Sequence, residues 1–246
     1  MPVTSHVGTL FISEAHVTIA LDSKKRTTVL NVLESRGIIR RGGHFEYMSG
    51  EHGTDAVDTD AIYRDPRLLA YIARQLAMLF THMRVEVVAG LTGKDARSVQ
   101  LAVLAALELP RTKVVELHKN ERHHTCSFRA RDMEFIKGKR VLLLDDIVRS
   151  GETVMGAASA LKRHHANVVG IGVICDQSVT DATACDAMPL WFWAATRFTD
   201  CTFRSLITLG SKRWSPTRCK KDGPCKHRVP LVNVKDLPSI FLPTGK

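Results

Sequence analysis

The chain lacks any apolar run long enough to cross a bilayer, which excludes a membrane-spanning helix. Residues 1–22 lack a basic start, and Glu14, His16 and Asp22 interrupt their apolar positions, so no signal peptide is expected. Cysteine is sparse: six residues, scattered rather than spaced as a disulfide framework, point to a reducing compartment, and the cytoplasm is the expected location. Internal repeats and low-complexity stretches are absent, which excludes a solenoid. Acidic residues are in deficit, 25 against 35 Lys and Arg, for a net charge of +10.

That charge is unevenly placed. Residues 204–246 hold ten Lys/Arg against two Asp, and residues 111–140 hold nine Lys/Arg against four Asp/Glu, with three histidines besides. A basic balance suits nucleic acid, an anionic surface or a polyanionic small substrate. The second region flanks the candidate site described below and is read as serving a pyrophosphate-bearing substrate. The tail excess is read as solvated surface charge, and neither nucleic acid nor a membrane is expected as a partner.

What is present is ordinary for a globular chain: 246 residues, 44% hydrophobic and 24% charged, enough for a core without disulfides. Residues 23–36 carry the apolar spacing of a helix, with Val29, Leu30, Val32 and Leu33 on one face and Gly37 at its end. Phe45 and Tyr47 alternate with polar neighbours, and Ala56–Asp60 is a second candidate strand. Asp65 and Pro66 suit the cap and first residue of a helix over 66–83. Strands are expected at 85–89, 113–117, 140–144, 168–175 and 190–195, with helices over 95–108 and 152–165, the alternation of a parallel α/β sheet. Gly90–Asp95 reads as a turn, 118–135 as a long polar excursion, and the proline-rich residues beyond 196 as irregular.

One stretch organises the rest: Val141–Thr153, VLLLDDIVRSGET. Its unalternated apolar start reads as a strand buried on both faces. Open parallel sheets bind ligands beyond the carboxyl ends of their strands, where Asp145 and Asp146 stand. The turn behind them leads into a helix N-terminus, whose free N–H groups and dipole favour an anion.

The stretch resembles the 5-phosphoribosyl-1-pyrophosphate (PRPP) motif of type I phosphoribosyltransferases, and over residues 25–195 the chain is most similar to the orotate branch. The resemblance implies the fold of that family: an α/β, mostly parallel sheet flanked by helices, with a small N-terminal hood and an irregular C-terminal tail. The implied division is 1–64 for the N-terminal segment and base-binding hood, 65–200 for the PRPP-binding core, and 201–246 for the basic tail. Asp145 and Asp146 match the acidic pair that holds the ribose hydroxyls; Arg149, Ser150, Gly151, Glu152 and Thr153 match the turn around the 5-phosphate, with Glu152 required to point outward. AGLTGKD, residues 89–95, resembles the pyrophosphate loop, with Gly90 and Gly93 allowing close approach and Lys94 as its lysine. HKNERHHTC, residues 118–126, resembles the mobile catalytic loop, where Lys119, Arg122 and His124 fit the spacing and Arg122 stands for the usual lysine. Phe45 and Tyr47 are candidates to shape the base pocket.

These matches imply transfer of ribose 5-phosphate from PRPP to a nucleobase in pyrimidine nucleotide synthesis, with Mg2+ carried on PRPP and reached by Asp145 and Asp146 only through water. They also imply a homodimer, since the mobile loop of the family enters the neighbouring subunit's site. Two base-binding cations of the orotate enzymes are replaced, by Met48 before Ser49-Gly50 and by Gln177 after Asp176. Arg64 or His52 could serve instead, the acceptor could be another heterocycle, or the protein could be a PRPP-sensing regulator without transfer. In the tail, Cys219, Cys225 and His227 offer three zinc ligands without an evident fourth, and unliganded thiols are the expectation.

Overall fold

The computed structural model describes residues 23–47, 49–92, 96–120, 125–178, 201–210 and 212–234. Its centre is β8 (Arg140–Val148), which pairs in parallel with β5 (Val87–Thr92) on one side and β9 (Asn167–Asp176) on the other. Leu142 and Leu144 enter the hydrophobic cluster on one face of the sheet, and Val141 and Leu143 enter the cluster on the other. A strand whose alternate side chains are all buried needs no polar alternation, which is why its sequence reads as a continuous apolar run.

Among the described residues the main sheet has the order β10-β9-β8-β5-β6-β7, with β6 spanning Lys113–Asn120, β7 Thr125–Ser127 and β10 Thr202–Thr208. All neighbours are parallel except β7, which folds back antiparallel on β6. Helices cover both faces. Residues of α3 (Pro66–Met78) and α4 (Arg97–Leu107) join one cluster and those of α6 (Glu152–Arg163) the other. Asp65 caps α3 as expected, its carboxylate accepting from the N–H groups of Arg67 and Leu68 at 3.0 and 3.1 Å.

Several boundaries differ from the sequence reading. Gly90 lies inside β5, not in a turn. A Cβ there would come within 2.6 Å of the Ser98 carbonyl oxygen and of the Val99 Cα, so glycine lets α4 seat directly on the strand. The excursion over 118–135 is largely ordered, as the end of β6, β7 and α5 (Ala130–Ile136). Only Ala56–Val57 is strand (β4), because Asp58 then caps the helix α2 (Thr59–Arg64) through its bond from the Ala61 N–H. The strand expected at 190–195 lies outside the described residues.

The tail also differs from the irregular segment expected. β10 extends the main sheet alongside β9, with Ser205, Leu206 and Ile207 buried. Arg213–Trp214 (β11) and Val232–Asn233 (β12) join the hood strands Phe45–Glu46 (β2) and His52–Gly53 (β3) in a second sheet of order β11-β3-β2-β12. The prolines that argued for irregularity stand at the edges of these pieces: Pro216 is the first residue of a short helix, Pro216–Asp222, capped by Ser215. The hood is therefore built from both ends of the described chain, closed by α1 (Ser23–Ser35) and the strand pair of β1 (Ile39–Arg40) with β4.

Candidate active site

Strand order reverses between β5 and β8: from β5 the chain steps to β6, and from β8 it steps the other way to β9. Such a switch point opens a crevice at the carboxyl ends of the two strands. Their register pairs stop at Gly90 and Leu144, and the next residues of β8 are Asp145 and Asp146.

The two acids are held differently. Asp145, 9% exposed, accepts from the Ser98 hydroxyl at 2.8 Å and from the Asp146 N–H at 3.0 Å, both on Oδ1. Burial and, second, the charge of Asp146 push its pKa up to about 7; the Ser98 bond and the Lys119 charge pull the other way. Asp146 is more exposed and accepts from the Ile147 N–H at 2.7 Å. The pair thus offers one carboxylate fixed under α4 and a second at the mouth of the crevice.

Behind them Gly151 has φ 81, in the left-handed region where a side chain is strained, and it turns the chain into α6. No side chain caps this helix, so its first-turn N–H groups are offered to an anion. Ser150 is exposed, Thr153 half-buried, and Glu152 exposed, which meets the requirement that this acid point away from a phosphate. Lys119 lies in β6 opposite Cys126 of β7, near enough for its charge to favour the ionised form of Asp145.

Arg149 leaves the phosphate turn and joins the hood. Its guanidinium lies 4.6 Å from the centroid of the Tyr47 ring, and its Nε donates to Gln177 Oε1 at 3.1 Å. Burial lowers its pKa, opposed by the nearby Tyr47 and Asp146. Tyr47 donates to the Asp55 carbonyl, and burial pushes its phenol up to about 12, so it stays neutral. Gln177 Nε2 reaches the same carbonyl at 3.5 Å. Buried Arg213, from β11, donates through Nη2 to the Arg149 carbonyl at 3.4 Å and through Nη1 to Glu51 at 3.4 Å, tying the tail to the phosphate turn.

The fold therefore brings Asp145, Asp146, Lys119, Ser150, Gly151, Thr153, Arg149 and Tyr47 to the carboxyl side of the sheet. Phe45 goes elsewhere, buried with Tyr47 and Ala56 in the hood interior, its ring filling the space over Gly43. Gly93, Lys94, Arg122, His124 and Met48 lie outside the described residues. Sequence reading missed Ser98, which carries no local signal because its partner is 47 positions away, and Arg213, whose partner is 64 away.

Two donor sets could hold metal. The carboxylate oxygens of Asp145 and Asp146 suit a hard cation such as Mg2+, and nitrogen and sulfur donors of His44, His52, Cys219 and Cys225 converge under the hood. Exposed His227 is not among them. A separate cleft of about 870 Å³ opens at the opposite end of β5 and β6, lined by Arg84, Glu86, Arg111 and Lys113 among others, and contains none of the motif residues.

A family model described as a phosphoribosyl transferase domain matches residues 59–183. The chain is 26% identical over 208 residues to the orotate phosphoribosyltransferase of Caldanaerobacter subterraneus, covering 85% of this chain and 96% of the relative. It is 27% identical over 154 residues to the enzyme of the same name from Pyrococcus horikoshii, covering 63% and 81%. Among solved structures, orotate phosphoribosyltransferase from Aeropyrum pernix superposes with a TM-score of 0.53 at 17% identity, covering 79% of this chain and 98% of that one. Adenine phosphoribosyl transferase from Trypanosoma brucei superposes with a TM-score of 0.54 at 17% identity, covering 78% and 82%. The shared fold thus spans enzymes named for different bases.

Proposed function

Because the chain belongs to the phosphoribosyl transferase domain family, we propose that it transfers ribose 5-phosphate from PRPP to orotate, as the curated relatives are named to do. The observation that carries the reading is the acid pair at the switch point, followed directly by a glycine turn and an uncapped helix N-terminus.

In this reading the N-terminus of α6, with Ser150, Gly151 and Thr153, takes the 5-phosphate. Asp145 and Asp146 accept from the ribose hydroxyls and so orient C1. The base nitrogen forms its bond to C1 as the C1–O bond to pyrophosphate breaks; the electron pair leaves with pyrophosphate, and the nitrogen gives up its proton. Positive charge grows on the sugar, and the two carboxylates stabilise it. Lys119, together with Lys94, Arg122 and His124, faces the opposite charge on the leaving group and excludes water. Mg2+, carried in on pyrophosphate, supplies further neutralisation of that group; the oxygen donors of Asp145 and Asp146 fit such an ion through water.

The acceptor side rests on Arg149. A base with an exocyclic carboxylate needs a cation in a closed site, since an unpaired buried charge is costly. With Gln177 where the resemblance calls for arginine, Arg149 supplies that cation from the neighbouring strand, held by Gln177 itself and by the Tyr47 ring. The active form is a homodimer in the cytoplasm, with a mass in sedimentation equilibrium of twice 27.3 kDa.

The test is to mix protein, PRPP, Mg2+ and orotate and follow pyrophosphate release. Turnover is expected. Silence with orotate but turnover with another base would keep the chemistry and overturn the acceptor. Tight PRPP binding without turnover on any base would instead favour a PRPP-sensing regulator. Arg149→Met should raise KM for orotate about tenfold or more, the scale of one charged hydrogen bond, while leaving PRPP binding nearly unchanged; an unchanged KM for orotate would remove Arg149 from the acceptor site.

A further inference from the structure

Four side chains from distant parts of the sequence meet beneath the hood. His44 precedes β2, His52 lies in β3, Cys219 is in the helix Pro216–Asp222, and Cys225 is in the turns that follow it. One donor atom from each lies within 4.8 Å of all the others. His44 Nε2 is 3.0 Å from His52 Nδ1, Cys219 Sγ is 3.4 Å from His44 Nε2, and Cys225 Sγ is 3.6 Å from His44 Nε2 and 3.4 Å from His52 Nδ1.

These are the edges of a metal tetrahedron. With zinc–nitrogen bonds of about 2.0–2.1 Å and zinc–sulfur bonds of about 2.3 Å, tetrahedral angles put nitrogens about 3.3 Å apart and nitrogen about 3.5 Å from sulfur. We propose that His44, His52, Cys219 and Cys225 form a Cys2His2 structural zinc site that fastens the C-terminal segment to the hood.

The surroundings have the features such a site requires. His44 Nδ1 lies 2.9 Å from the Val229 carbonyl, and donating there leaves the Nε2 lone pair aimed at the centre of the four. The Cys225 N–H is directed at Cys219 Sγ at 3.5 Å, a contact that stabilises a thiolate. Gly223 leaves room for that sulfur: a Cβ in its place would stand 2.9 Å from Cys219 Sγ. His44, His52 and Cys219 are buried at 2, 5 and 0% exposure, so the fourfold set is closed, as in structural rather than catalytic sites. Both cysteines touch the same imidazole, which suits one ion; a two-iron cluster would separate its cysteines from its histidines onto different irons.

The fold gives the ion work to do. The strands of this sheet are two residues long, and its hydrophobic cluster consists of Phe45, Tyr47 and Ala56 with Val234 packed on it. So small a core does not hold a sheet by itself, and a metal crosslink contributes folding free energy directly. The ion ties β2 and β3, which flank Tyr47, to the segment bearing Arg213. The inference stands independently of which base the protein uses.

The experiment is elemental analysis of the purified full chain, followed by replacement of its metal with Co2+. One zinc per chain is expected, and the cobalt form should show the strong visible bands of tetrahedral Co2+ with a thiolate charge-transfer band. Cys225→Ser should remove that band and the zinc. His227→Ala, whose side chain lies outside the cluster, should keep both and serves as the folded control. Protein free of zinc that takes up Co2+ without thiolate bands would overturn the proposal, as would iron in place of zinc or Cys225→Ser protein retaining full zinc.

Discussion

β8 is nine residues long and hydrogen-bonded on both sides, whereas the hood strands that carry Phe45 and His52 are two residues each. The first region positions Asp145, Asp146 and the Gly151 turn by burying apolar side chains on both faces of a sheet. The second positions Tyr47 by a few polar ties, to Asp55, Arg149 and Gln177, and by four metal-type ligands. Donor recognition is thus mounted on the stiffest element of the molecule. The acceptor corner is mounted on a small sheet with little core of its own, where ligand-driven adjustment is cheapest.

The comparison can be broken most directly at Asp146. Asp146→Asn keeps the shape but removes the charge facing the sugar, and kcat should fall about 10²-fold or more, the scale of losing one electrostatic stabiliser. Steady-state assays would detect this, and an unaffected rate would displace the whole site. Gly151→Ala comes next: a side chain at φ 81 costs about 1–2 kcal/mol. That cost should appear mainly as weaker PRPP binding by calorimetry, about tenfold, with little change in KM for the base.

Gly53→Ala probes the other region. Its Cβ would fall 2.1 Å from the Tyr47 hydroxyl, so the ring must shift away from Arg149. KM for the base should rise several-fold while PRPP affinity holds; equal loss of both would mean that the two regions are not separable. The smallest effect expected is on stability. Asp145 titrates at about 7 when folded and near 3.8 when unfolded, so between those values the folded state binds the extra proton. Its contribution to stability is full below pH ~4 and is lost as pH rises through ~7. Urea unfolding at pH 5 and pH 8 should show this decline, and Asp145→Asn should flatten it.

Legibility followed the same divide. VLLLDD could be read because a doubly buried strand leaves an unbroken apolar run, and Asp145 and Asp146 because they follow it directly. Asp65 and Pro66 marked a helix start because capping chemistry is local. Gly90 misled because a glycine in a turn and a glycine under a helix look alike in sequence; only the contact with Ser98 and Val99 separates them. The tail was expected to be irregular because strands of two residues carry no periodicity, and their pairing partners lie far away in the chain.

The cysteines of the tail show where the boundary falls. Cys219 and Cys225 could be recognised as metal-type ligands from residue chemistry alone, and nearby His227 was the natural third. The structure chose instead His44, 175 positions from Cys219, and His52, 173 from Cys225. By itself the sequence determined the donor-binding element, since apolar burial, acids, glycine turn and helix start are contiguous and each acts locally. Tertiary structure decided the rest: that Arg149 turns to Tyr47, that Ser98 holds Asp145, and that the tail closes the hood. Those outcomes depend on which surfaces meet when the sheet and its helices pack.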